Sequence, residues 1–202
     1  MKTPKRIRNH VNPLADRKEI SFDGFSNQNN IIVDIGSYRG EFAQKLVNEF
    51  GDSKNFILFE IRKPFFEYLT NLFIENNNVA VFDGDAARNL KSILEPSIKK
   101  GVFIEKIFIN FPDPWFKEKH KKRRVVNENF LNEIKTWLPK ETEVVFQTDQ
   151  KPLFKETKKL IKEVKGFKIK KLWKPYWGIR TYWEEMKIKE KNRIHRMIIK
   201  VK

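Results

Sequence analysis

The sequence of 202 residues holds no cysteine and only 3 histidines. Without cysteine there is no disulfide framework, no thiolate nucleophile, no Cys-ligated zinc and no iron–sulfur cluster. So few histidines leave a His-rich metal site out of reach, and no metal is expected. No apolar run approaches the ~20 residues of a membrane span, and the start lacks the hydrophobic region of a secretion signal. A soluble cytoplasmic protein without membrane contact is the expectation. Acid is scarce as well: 26 Asp and Glu face 42 Lys and Arg, a net charge of +16. Aromatic residues are plentiful. The 18 Phe and 5 Trp argue against a wholly disordered chain. The length suits one domain able to bury a core without cross-links.

The positive excess is unevenly placed. Residues 117–124 hold six basic residues against one acidic, and residues 151–202 hold eighteen against five. The apolar middle is mildly acidic. Clusters of this kind over a near-neutral scaffold suggest a polyanion-binding surface, nucleic acid before simple solubility.

Hydrophobic periodicity alternates between two kinds of element. Short β-branched or aromatic runs at 31–35, 56–60, 79–82, 104–111 and 143–147 read as strands. Helical spacing fills 42–50, 64–75, 86–94, 127–138 and 152–165 between and after them. Two further strands are expected at 167–172 and 194–201, in succession, closing one edge as an antiparallel pair. Nearly continuous apolar strands fit a parallel sheet buried on both faces. The predicted fold is therefore α/β, doubly wound and mostly parallel, with an antiparallel last strand pair. Residues 1–25 read as a basic N-terminal arm and residues 26–202 as one domain.

In such a sheet the ligand binds at the carboxyl ends of the strands. Those ends carry Asp34, Glu60, Asp85, Asp113 and Asp149. Aspartate is common in turns and at helix N-caps, but five strand ends in a row exceed what that accounts for. The first loop, Asp34-Ile35-Gly36-Ser37-Tyr38-Arg39-Gly40-Glu41-Phe42, places Gly36 and Gly40 where backbone can approach a ligand ahead of a helix N-terminus. It is not the dinucleotide fingerprint, because Tyr38 takes the place of the second glycine. Glu60, 26 residues beyond Asp34, can accept both hydroxyls of a ribose. Asp85 with Ala86 can reach an adenine edge.

The most informative segment runs from Asn110 to Arg124: Phe111-Pro112-Asp113-Pro114-Trp115-Phe116-Lys117, then Glu118, Lys119, His120, Lys121, Lys122, Arg123 and Arg124. Two prolines hold Asp113 in a rigid turn. Trp115 offers a face for base stacking, and the cationic run can neutralise phosphates. A fixed acid, an aromatic and a cationic strip are what a base-modifying enzyme needs.

From Ile31 to Val201 the sequence resembles the bacterial tRNA (guanine-N7)-methyltransferase family. The resemblance rests on the Asp34–Phe42 loop, Phe59-Glu60-Ile61-Arg62, Gly84-Asp85-Ala86, the Pro-Asp-Pro-Trp block with its basic run, Gln147-Thr148-Asp149 and Thr181-Tyr182-Trp183-Glu184. It implies a Rossmann-like class I methyltransferase with a seven-stranded sheet. It also implies S-adenosylmethionine as cofactor, S-adenosylhomocysteine as product, and methylation of a guanine N7 in the variable loop of tRNA, with no metal and no obligate protein partner. By the same resemblance, Asp34, Gly36, Gly40, Glu60, Asp85, Ala86 and Asp113 line the cofactor site, and Asp113 is the catalytic residue. Lys117, Asp149, Thr181, Tyr182, Trp183 and Glu184 hold the guanine-bearing substrate, and Lys119, Lys121, Lys122, Arg123 and Arg124 contact RNA. Two positions depart from the family pattern: Tyr38 replaces a glycine, and Trp183 replaces a phenylalanine. The alternative is a non-catalytic RNA-binding protein on a decayed methyltransferase scaffold.

Overall fold

Three strands and three helices make up the first of two compact units, residues 1–104. The computed structural model describes Pro4 and residues 11–202, so most of the first ten residues of the predicted arm lie outside the described residues. Strands β1 (Ile31–Ile35), β2 (Asn55–Phe59) and β3 (Val79–Phe82) alternate with helices α1 (Glu41–Phe50), α2 (Lys63–Leu72) and α3 (Ala86–Lys99). β1 pairs with β2 and β2 with β3, both parallel, with Ile35 opposite Phe59 and Phe59 opposite Phe82. Every residue of β1 and β2 is buried, as the continuous apolar runs predicted. Phe42 and Leu46 of α1 and Phe65 and Leu69 of α2 complete this core. Gly40, at φ +75, caps α1, and a Cβ there would come within 2.7 Å of Leu69. The absent side chain is what lets the two helices close on each other.

Residues 16–25 are tied to this unit. Asp16 accepts the Asp85 N–H at 2.8 Å. The Ile20 N–H donates to Asn89 at 2.9 Å, and the Ser92 hydroxyl donates to the Ile20 carbonyl at 2.8 Å. Phe22 packs edge-on against Phe82. Gly84 lies beneath this strap, where a Cβ would meet Ile20 at 2.9 Å and Asp16 at 3.2 Å.

The second unit, residues 105–202, holds nearly all of β4 (Ile104–Asn110), then α4 (Glu128–Trp137), β5 (Glu143–Thr148), α5 (Lys151–Val164), β6 (Phe167–Lys171), α6 (Tyr182–Lys189) and β7 (His195–Val201). β4 and β5 are parallel, while β7 runs antiparallel to both β5 and β6. The sheet has seven strands in the order β3-β2-β1-β4-β5-β7-β6, so the expected architecture is observed. β6 is one edge, and it carries exposed Lys168, Lys170 and Lys171.

Two elements differ from the sequence expectation. α3 continues past Leu94 and through Pro96 to Lys99, because Ser97 extends its buried stripe of Leu90, Ile93 and Leu94. Tertiary packing overrides the proline's lost hydrogen bond. Helix α6 was not foreseen between the last two strands. Its apolar residues Tyr182, Met186 and Ile188 are exposed and share no face with the core, so no helical period marks it. Among the described residues no helix is long and apolar enough to cross a membrane.

Candidate active site

In the first unit, parallel pairing brings the carboxyl ends of β1, β2 and β3 side by side. Asp34, next to last in β1, is 3% exposed, and its carbonyl accepts the Ser37 hydroxyl at 3.0 Å. The turn after it is held by the Gly36 and Ser37 N–H groups, both donating to the Phe59 carbonyl at 2.9 Å. Gly36 sits at φ +82 with nothing within 4 Å of where a Cβ would stand. Its backbone therefore faces open space, unlike Gly40, whose missing side chain serves helix packing.

Glu60 follows β2 and is 1% exposed. It accepts the Tyr38 N–H at 2.9 Å, the Arg62 N–H at 2.9 Å, and Arg62 Nε and Nη2 at 2.7 and 2.9 Å. Tyr38 adopts φ +53, a left-handed conformation that glycine takes without strain. Its ring lies 4.5 Å from Phe65. Asp85 caps α3, its Oδ1 accepting the Ala87 N–H at 3.1 Å, with Ala86 the first helical residue. Burial, ahead of the capping N–H, pushes the Asp85 carboxyl above the ordinary aspartate range, and nearby Asp16 adds to this.

In the second unit, Asn110 of β4 lies opposite Gln147 of β5, and the Phe111 N–H donates to the Gln147 carbonyl at 2.9 Å. The loops bearing Asp113 and Asp149 thus leave adjacent strand ends. The Pro112-Asp113-Pro114 turn is bracketed by two left-handed aromatic residues, Phe111 at φ +49 and Trp115 at φ +40. Asp113 itself is exposed. Trp115 is half-buried: His120 meets its edge, and the Arg123 guanidinium stands 5.0 Å over its ring. Phe116, 52% exposed, is the open aromatic of this loop, which the sequence reading passed over.

The basic run folds as a 3-10 helix, Glu118–Arg123. Arg124 donates to the Pro114 carbonyl at 2.8 Å and pairs with Glu156 at 2.7 Å. Lys121 pairs with Glu118 at 2.6 Å and with Glu156 at 3.2 Å. Arg123, Arg124 and Lys121 therefore brace the Asp113 loop, while Lys117, Lys119 and Lys122 stand exposed. The Arg124 hydrogen bond holds the Glu156 carboxyl below its ordinary value of 4.5. A depressed carboxyl stabilises the fold above its unfolded value, and that contribution disappears as pH falls through the folded one. Glu156→Gln should accordingly cost about 0.2–1 kcal/mol at pH 6 and progressively less as the pH falls below the ordinary carboxyl range, read from urea midpoints. A cost that does not change with pH would mean that the pair does not hold the loop.

Asp149 accepts a hydrogen bond from Gln150 at 2.8 Å and lies 3.9 Å from Lys187, whose ammonium stands 5.0 Å over Trp183. Helix α6 thus brings Trp183 and Lys187 to the end of β5. Thr181 is its N-cap, accepting the Glu184 N–H at 3.0 Å, and Tyr182 is exposed. Glu184 is 0% exposed and pairs with Arg196 of β7 at 2.5 Å. Arg196 also donates to Gln147 at 3.2 Å. The second carboxylate oxygen of Glu184 is buried with no hydrogen-bond partner among the described residues. Arg196, twelve residues beyond Glu184 and in another element, carried no signal in the sequence.

The model of the family described as "Putative methyltransferase" matches residues 28–197. A tRNA (guanine-N(7)-)-methyltransferase of Synechocystis is 32% identical over 177 residues, covering 80% of this chain and 79% of that protein. The chain belongs to the tRNA (guanine-N7)-methyltransferase family. A second family member, from Clostridium botulinum, is 34% identical over 149 residues, 72% of this chain and 67% of its own length. Among solved structures, a TehB-like S-adenosylmethionine-dependent methyltransferase from Corynebacterium glutamicum superposes with a TM-score of 0.54 at 13% identity, over 88% of this chain and 83% of that one. That likeness establishes the class I methyltransferase fold for this family member.

Proposed function

We propose that the protein transfers the methyl group of S-adenosylmethionine to N7 of a guanine in tRNA, in the variable loop, forming 7-methylguanosine and S-adenosylhomocysteine. The observation that carries this reading is the rigid Asp113 turn at the end of β4. It stands beside the Asp149 loop of β5 and is followed directly by a cationic helix. On this reading residues 26–202 form the methyltransferase domain behind the arm of residues 1–25. The protein works where tRNA is, in the cytoplasm, without a membrane, a metal or an obligate protein partner.

The first unit suits the cofactor. Gly36 leaves open backbone at the β1 turn, and Asp34, Glu60 and Asp85 follow one another at adjoining strand ends. Asp34, Gly36, Glu60, Asp85 and Ala86 would hold S-adenosylmethionine. Gly40 would serve by shaping the loop. When bound, the cofactor supplies an electrophilic methyl group on a sulfonium.

Guanine N7 carries an in-plane lone pair, so no proton has to leave before attack. The protein's task is then positioning, where large rate factors are available. The guanine gains positive charge as the methyl transfers. Asp113 and Asp149 would accept hydrogen bonds from its N1–H and amino group and favour that charge as it develops. The unpartnered Glu184 oxygen would be a further acceptor, Thr181, Tyr182 and Trp183 would contact the guanine-bearing substrate, and Lys117 would hold phosphate.

Lys117→Glu/Lys119→Glu/Lys122→Glu should weaken tRNA binding roughly 10–100-fold at low salt and flatten the dependence of log Kd on log salt by two to three units. An unchanged slope would remove this strip from the interface. Lys121, Arg123 and Arg124 are poorer probes, because reversing them also unbraces the Asp113 loop. The deciding experiment is methyl transfer from radiolabelled S-adenosylmethionine to unmodified tRNA, with the labelled nucleoside identified after digestion. Label in 7-methylguanosine is expected. Label in another nucleoside would overturn the substrate. No label with tRNA still bound would favour the non-catalytic RNA-binding protein.

A further inference from the structure

A carboxylate offers about four lone-pair directions to donors. In Glu60 all four are used: Oε1 accepts the Arg62 backbone N–H and Arg62 Nε, and Oε2 accepts the Tyr38 N–H and Arg62 Nη2. At 1% exposure the group cannot borrow further acceptor capacity from water. Two of its donors are backbone groups fixed by the Tyr38 turn and by the N-cap of α2. The other two belong to one guanidinium on a side chain that is 25% exposed. That guanidinium also lies 5.1 Å from the Tyr38 ring centroid and 4.8 Å from that of Phe65. It is therefore both bonded to Glu60 and seated on an aromatic shelf.

We propose that Arg62 is an internal stand-in for the ribose of the cofactor, displaced from Glu60 when a nucleoside diol binds. The side chain presents one donor to each carboxylate oxygen, the pattern in which two vicinal hydroxyls would bond. Only these two donors can leave without unfolding a turn. Tyr38 sets how firmly the stand-in is held, since its ring supplies part of the shelf. Cofactor affinity in this protein is then a competition, and Arg62 with Tyr38 tunes it. The proposal rests on the reading of Glu60 as the ribose acceptor.

The test is calorimetric titration of the full chain with S-adenosylhomocysteine and with its 2′-deoxy analogue. Arg62→Ala should tighten S-adenosylhomocysteine binding roughly tenfold, the scale of one charge-assisted hydrogen bond. Tyr38→Gly should tighten it by a smaller factor in the same direction, and it decides the matter should Arg62→Ala fold poorly. Discrimination between the ribose and deoxyribose forms should widen most in Arg62→Ala, where no guanidinium remains to refill the vacated position, and less in Tyr38→Gly, where Arg62 remains but loses part of its shelf. A purely structural role for Arg62 would not move that ratio. Weaker binding in both variants, or an unchanged ratio, would overturn the proposal. Glu60→Gln separates the two levels of inference. If it leaves S-adenosylhomocysteine affinity and the ribose preference untouched, the assignment of Glu60 itself fails and the stand-in falls with it.

Discussion

Asp113→Ala is expected to lower the rate of methyl transfer to tRNA by about 10²–10³-fold, the scale seen when one preorganised electrostatic contact to a developing charge is removed. The fold should survive. Asp113 is exposed, and the flanking prolines and the left-handed Phe111 and Trp115 set the loop's path. A surface substitution of this kind stays within about 0.5 kcal/mol of the parent. The loss should fall mainly on kcat, with tRNA affinity retained through the lysines. Single-turnover rates with saturating tRNA, alongside thermal melting, check both halves. Turnover near the parental rate would remove Asp113 from the chemistry. A large drop in melting temperature would make its role structural.

Arg196→Ala should be strongly destabilising. It leaves the fully buried Glu184 carboxylate, bonded to Arg196 at 2.5 Å, with only the more distant Arg180 at 3.7 Å, and it takes away a donor to Gln147. Breaking one side of a buried ion pair costs about 3–5 kcal/mol. For a chain of this size that corresponds to roughly 6–20 °C in Tm. Glu184→Leu/Arg196→Met should recover most of the stability, because two apolar groups leave no uncompensated charge. It should not recover transfer, since the acceptor at Glu184 is gone. Calorimetry on the two variants separates the structural from the functional share of this pair. A loss below about 2 °C in the single variant would mean that Glu184 finds another partner or becomes protonated.

Periodicity made the sheet legible, because each strand is a short apolar run ended by a polar loop, and burial on both faces demands that composition. The same regularity placed Asp34, Glu60, Asp85, Asp113 and Asp149 at strand ends. What could not be read was the state of those carboxylates. Glu60 is filled largely by Arg62, two residues on, whereas Glu184 pairs with Arg196 on β7 and keeps its second oxygen unpartnered among the described residues. Sequence spacing marks residue types, whereas hydrogen-bond saturation depends on where side chains meet. The basic run shows the same limit. It reads as uniform positive charge, yet Arg124 is hydrogen-bonded to Glu156, an acid 32 positions away on α5. Helix α6 was missed because its apolar residues are exposed rather than packed on one face.

The lysines along β6 bear on how any experiment on this protein should be designed. An outermost strand presents unpaired amides to solvent, and charged side chains are what deter a second molecule from adding to it. Exposed Lys168, Lys170 and Lys171 therefore guard this edge against self-association. Neutralising them with alanine, or acetylating them, would strip that guard and invite intermolecular strand addition, which a binding assay would record as lost affinity. Charge reversal to glutamate keeps the edge repulsive, so it is the substitution that isolates electrostatics from self-association.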